Sequence, residues 1–261
     1  MEEYFNLNNF KKEFLIEELH KSIVEVGSNL YIDHFLCQDY FFDIDPFGET
    51  TNNAFINMQY KIKMTLYRKY LKEKDYDSIL NILDKQKKME WFIKHHKKIY
   101  TNIGNTRYFK MFSWILTYVD HHYPYRKNYS KIIELGRNPG LMMSKNEKEF
   151  FNKLPKVIKI YRGVCVDLNF KKIEDAQKEM LIGNSWTLDY EKAAWFSKNH
   201  APKFHQAKKL KKIILCYEVE KKEVMAYFKE RNEEEIFIDY KKIVIYVYYI
   251  KNKYVRYIRN E

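Results

Sequence analysis

The chain has 261 residues, 46% of them hydrophobic and 31% charged, and a net charge of +12; it can bury a core and form one or two domains, and it is too apolar for a disordered chain. The apolar run Ile243 to Ile250 is a strand's length, far short of the roughly 18 residues of a membrane helix, and the acidic start Met1-Glu2-Glu3 is unlike a secretory signal, so no membrane partner is expected. Cys37, Cys165 and Cys216 are too scattered for a disulfide framework or a zinc pair and fit a reducing, cytoplasmic setting.

The first half reads as helices. Asn9 is a candidate N-cap, followed at helical spacing by Phe10, Phe14, Leu15, Leu19 and Ile23, with Gly27 as the stop. Residues 43–53, with Pro46 and Gly48, read as a loop. A helix is predicted from about Ala54 to Glu73, with Ile56, Tyr60, Met64, Tyr67 and Leu71 on one face. A third starts near Asp75 and carries Ile79, Leu83, Trp91 and Ile99 towards Gly104, and a fourth spans about 105–122. A short helix is predicted over 125–135, and Ser144 with Glu147 has capping-box spacing before a helix that ends at Leu154-Pro155. His95-His96 and His121-His122 lack the i, i+4 spacing of a helical zinc site, so no metal is expected.

The period then changes. Residues 157–161, 213–219, 235–238 and 243–250 read as strands, with a last short strand around Val255 and Tyr257, and one helix near 190–198 interrupts them. The expectation is an α+β fold, with a helical region over 1–153 and a two-sheet β domain over 154–261. The second part carries 23 Lys+Arg against 15 Asp+Glu, or +8, which favours an acidic partner such as nucleic acid; an AT-rich coding bias accounts for the same lysines without any partner.

Three elements could carry chemistry. Tyr161-Arg162-Gly163 lies on a strand, and Arg162 offers a permanent planar cation suited to diphosphate. Ser185-Trp186-Thr187 precedes a helix; its hydroxyls suit a sugar or an amide, or simply cap the helix, for which Asp189 is the better candidate. Glu233-Glu234-Glu235 runs into an apolar strand, where alternation directs Glu233 and Glu235 to one side.

In this order the three resemble the Arg, Ser-Thr-Ser and Glu-x-Glu motifs of the ADP-ribosyltransferase superfamily, the branch of bacterial toxins, phage enzymes and arginine-specific transferases. The resemblance covers roughly 154–250 and includes Leu154-Pro155 before the first strand and the alanine-rich helix after the serine. Trp186 and Thr187 depart from the usual serine motif. The resemblance implies NAD as co-substrate and transfer of its ADP-ribose. Glu235 would be the catalytic carboxylate, Glu234 taking its part if the register slips by one, and Glu233 would act on the acceptor. Arg162 would meet phosphate or ribose, Gly163 the nicotinamide amide, Ser185 the ribose and Glu235, with Thr187 assisting and Phe204 as a candidate to stack on nicotinamide. Glu-x-Glu is associated with protein arginine acceptors; nucleic acid, NAD hydrolysis and a non-enzymatic binding module are the alternatives. The lysines at 208–212 are a candidate nucleic-acid contact, or a solvated loop. The helical half would bind the target or wall the NAD cleft.

Overall fold

The computed structural model describes residues 11–26, 29–39, 48–119, 123–136, 138–167, 183–200, 210–229, 234–239 and 255–256. The chain is α+β, with one antiparallel sheet near its start and a larger mixed sheet in its second half. It forms two compact units: Met1–Ile103 with Tyr118–His121, and Gly104–Thr117 with His122–Glu261.

The first unit departs from the expected run of helices. Of the helix anticipated over 9–27, only α1 (Glu17–His20) is present, and Phe14 is 56% exposed. Ile23 instead opens β1 (Ile23–Val26), which pairs with β2 (Asn29–His34), itself paired with β3 (Cys37–Asp39). The β-branched residues Ile23 and Val24, facing Ile32 and Tyr31, outweigh a helical period that also fits Leu15 and Leu19. Asn9, Phe10 and Gly27 lie outside the described residues.

Helix α2 (Thr51–Glu73) begins three residues earlier than expected because Thr50, on extended backbone, accepts a hydrogen bond from the Asn53 amide at 3.0 Å. Asn57, one turn on, ties the incoming segment to the helix: it accepts from the Ile16 amide (2.9 Å) and donates to the Phe14 carbonyl (2.7 Å). Helix α3 (Tyr76–Ile82) is capped by Asp75, and α4 (Lys88–Tyr118) follows. Ile79, Leu83, Trp91 and Ile99 are all buried, as the spacing anticipated. Gly104 is non-helical (φ 72°, ψ 173°), so α4 is two helices meeting at this glycine, where the sequence placed the end of one helix and the start of the next, and the division between the units falls there.

The second unit therefore takes in helices that the expected boundary at residue 153 assigned to the helical region. Helix α5 (Tyr129–Gly136) sets Tyr129 5.9 Å, ring to ring, from Phe237. Helix α6 (Lys145–Lys153) opens with the predicted Ser144–Glu147 capping box, both arms made, and stacks Phe150 on Tyr227 at 4.7 Å. Their sheet has the order β7-β8-β5-β4-β6-β9. The strands are β4 (Val157–Asp167), β5 (Ser185–Thr187), β6 (Leu210–Glu220), β7 (Val224–Phe228), β8 (Glu235–Ile238) and β9 (Val255–Arg256). Strand β7 was not anticipated; all five of its residues are buried, so it has no period-2 alternation to betray it. The strand expected at 243–250 lies outside the described residues. Helix α7 (Tyr190–Trp195), continued by a wider turn through His200, packs on β4.

Candidate functional site

Long β4 and β6 pair over eleven residues, from Val157↔Glu220 to Asp167↔Leu210. Arg162 and Gly163 sit in the middle of this rigid platform. Short β5 joins its other side through Tyr161↔Thr187. Across the neighbouring gap the Arg162 guanidinium donates through Nη1 to the Ser185 carbonyl. It also lies against Gly183, whose φ of +50° suits glycine and where a Cβ would come 2.5 Å from Nη2. The first and second motifs are thus joined by the arginine itself.

Strand β8 then pairs with β5: Thr187 faces Glu235, Trp186 faces Ile236 and Ser185 faces Phe237. Side chains opposite each other stand about 4.5–5.5 Å apart at Cβ, and alternation puts Ser185, Thr187, Glu235 and Phe237 on one face of the sheet. Glu234 is not part of this row. It has left-handed backbone (φ 47°), its carbonyl accepts from the Leu188 amide at 3.2 Å, and its charge acts on Tyr227. This left-handed residue immediately precedes the strand that starts at Glu235.

The hydroxyls divide their work. Thr187 is buried, and its Oγ1 accepts from the Asp189 amide at 3.1 Å, fixing the turn into α7. Asp189 is the cap, accepting from the amides of Glu191 (2.7 Å) and Lys192 (3.3 Å). Trp186, the departure from the family pattern, is buried on the opposite face and donates to the Gly183 carbonyl at 3.2 Å. Gly163 is required by packing: a Cβ there would lie 1.9 Å from the Ala193 carbonyl and 2.6 Å from the Ser197 amide. The backbone of α7 fills the space a side chain would need.

One neighbour of Glu235 escaped the sequence reading. Tyr129 is 1% exposed, with its ring against Phe237 and Phe112. Burial, and then the charges of Tyr125 and Glu235, push its phenol well above the usual range. Tyr129 is therefore a neutral phenol within electrostatic reach of the Glu235 carboxylate. Its one advance signal was a tyrosine three residues before the apolar pair Ile132-Ile133, which is also the signature of ordinary core packing.

Glu233, Phe204 and the lysines of 208 and 209 lie outside the described residues. Among the described residues no group of three His, Cys, Asp or Glu side chains could hold a metal ion, and no helix is long and apolar enough to cross a membrane. In the first unit, His95 Nδ1 engages the Trp91 carbonyl at 2.8 Å and His96 engages the Ile93 carbonyl. Comparison of the chain with protein-family models, curated proteins and solved structures gives no match.

Proposed function

We propose that the chain is a NAD-dependent mono-ADP-ribosyltransferase. The observation that carries this reading is the meeting of three motifs, remote in sequence, on adjacent strands: Arg162 on β4, Ser185 and Thr187 on β5, and Glu235 on β8. Glu235 shares a sheet face with the two hydroxyls, while Arg162, next to the Tyr161 that pairs with Thr187, alternates to the other face and is tied to the Ser185 backbone carbonyl. This arrangement suits a ligand carrying both phosphate and sugar.

Breaking the nicotinamide–ribose bond releases neutral nicotinamide and leaves positive charge on the ribose ring, an oxocarbenium-like transition state. A carboxylate fixed on a strand next to that ring stabilises the charge without reorganising, an effect typically worth about 10²–10³ in rate. Glu235 takes this part. Ser185 orients Glu235 and the ribose, with Thr187 holding the turn beside them. Arg162, permanently charged, pairs with a phosphate or ribose oxygen. Gly163 lets α7 pack directly on β4 beside this arginine. Phe204 is the candidate to stack on the nicotinamide ring. Glu233 attracts a cationic acceptor and takes its proton, a contribution of roughly 10²–10⁴. That second carboxylate favours protein arginine as acceptor. The +8 excess of residues 154–261 favours nucleic acid, but it steers encounter at a distance and is screened over about 10 Å at 0.1 M salt. The nucleophile is chosen at contact.

The test is to label a lysate with NAD radioactive in its adenylate and divide the product between nuclease and protease. The expected label survives nuclease, is lost to protease and is released by neutral hydroxylamine. Label removed by nuclease and untouched by protease would reassign the acceptor. Nicotinamide release without labelling would make the protein a NAD glycohydrolase, and neither release nor label would remove the enzyme reading altogether.

A further inference from the structure

Helix α2 contains five cations, Lys61, Lys63, Arg68, Lys69 and Lys72, against one carboxylate, its last residue Glu73. Lys63 turns inward and donates to the Leu36 carbonyl at 2.8 Å. The other four are exposed. At about 100° per residue, Lys61, Arg68, Lys69 and Lys72 fall within a single arc roughly 100° wide, and at 1.5 Å per residue they span about 16 Å.

Elsewhere in the same unit, Lys21 is paired with Glu17, and Lys87 with both Asp33 and Glu90. Among the described residues, none of the four cations of the α2 arc has a carboxylate partner. Arg68 and Lys72 are four residues apart, where like charges repel. A row of unneutralised cations on a rigid helix is complementary to a regular row of anions. The nucleic-acid backbone supplies one, with a phosphate about every 3.4 Å of axis on each strand, so the stripe can span four of them.

We propose that the exposed stripe of α2 is a docking surface for the phosphodiester backbone of nucleic acid, through Lys61, Arg68, Lys69 and Lys72. It reads no bases, since phosphate contacts position a protein without specifying sequence. Docking here is independent of the chemistry proposed for the second unit and is measured without NAD. Its failure would leave the transferase reading untouched.

The experiment uses the full chain and fluorescein-labelled duplex DNA and single-stranded RNA of mixed sequence, with anisotropy followed as salt is raised. Binding that weakens steeply with salt is expected for one or both probes. The variant with Lys61, Arg68, Lys69 and Lys72 all changed to Gln should bind at least about tenfold more weakly near 0.1 M salt. Its log–log salt slope should be shallower by about 0.9 for each duplex phosphate it no longer neutralises, or about 0.7 for each phosphate of a single strand. A control with the same reduction in charge, Lys145, Lys153, Lys156 and Lys159 all changed to Gln, alters exposed lysines of the second unit and should retain most of the binding. Circular dichroism melts confirm that both variants fold. The proposal is overturned if neither probe binds, if the stripe variant matches wild type, or if the control is weakened as much. It is also overturned if the chain binds phosphatidylserine vesicles but neither nucleic acid.

Discussion

A carboxylate opposite Thr187 and in line with Ser185 is an arrangement that Glu235 alone of the described glutamates provides. Glu235→Gln keeps the shape and removes the charge, so it should lower NAD cleavage and transfer together by about 10²–10³, with the melting curve unchanged. Glu234→Gln, on the turn, should leave both rates close to wild type; an equal loss there would mean that the reacting ring sits over the turn rather than the strand. Tyr129 offers a finer probe. Its hydroxyl is the part of the side chain within reach of the Glu235 charge, while its ring belongs to the core. Tyr129→Phe removes the phenol dipole near that charge and should keep the fold and the KM for NAD while lowering kcat. A change in KM alone would instead assign the tyrosine to NAD binding.

At the level of elements, the site depends on how β4 and β5 are held. Gly163→Ala drives a methyl into the backbone of α7, where neither the Ala193 carbonyl nor the Ser197 amide is a flexible group. A cost of about 1–3 kcal/mol is expected by urea unfolding, the usual range for overpacking. Asp189→Ala removes the cap of the same helix and should cost about 1 kcal/mol. How much of this was legible in the sequence differs by element. Ser144–Glu147 and Asp189 were readable because a cap is a local hydrogen bond between residues three apart or fewer. β8 was readable because Ile236, Phe237 and Ile238 follow a charge cluster. Strand β7 was not, since burial on both faces erases alternation. The hairpin at 23–34 was hidden because Leu15, Leu19 and Ile23 satisfy a helical period whose outcome is settled by the strand-forming residues after it. Tyr129 was invisible for a different reason: its neighbour Glu235 is 106 positions away along the chain, and register and packing alone bring the two together.

Over the molecule as a whole the charge is +12, and the first unit buries some of its bases. Burial pushes His34 and His95 below the usual histidine range. Lys88 is 3% exposed; its ammonium donates to the Leu83 carbonyl at 2.9 Å and to the Leu80 carbonyl at the end of α3, and burial brings it down to about 8. All three groups bind protons less readily folded than unfolded, so stability rises with pH wherever only the unfolded chain holds the proton. For the histidines that window lies below about 6.5, and stability is lost as pH falls through it. For Lys88 it lies between about 8 and 10.5. Tyr60 acts in the opposite sense above pH 10, because burial and its hydrogen bond to Glu18 raise its phenol and the folded unit then keeps a proton the unfolded chain gives up. Urea unfolding between pH 5 and 9.5 should therefore show the wild-type midpoint climbing at both ends of the range. Lys88→Met gives up two hydrogen bonds to carbonyls, which sets a constant offset, but it also removes a titrating group. Wild type should gain on the variant as pH rises above about 8, by at most about 1.4 kcal/mol per pH unit, while the climb below 6.5 stays the same in both proteins. Parallel profiles above pH 8 would show that Lys88 keeps an ordinary proton affinity in the fold, with its ammonium solvated rather than held by the end of α3.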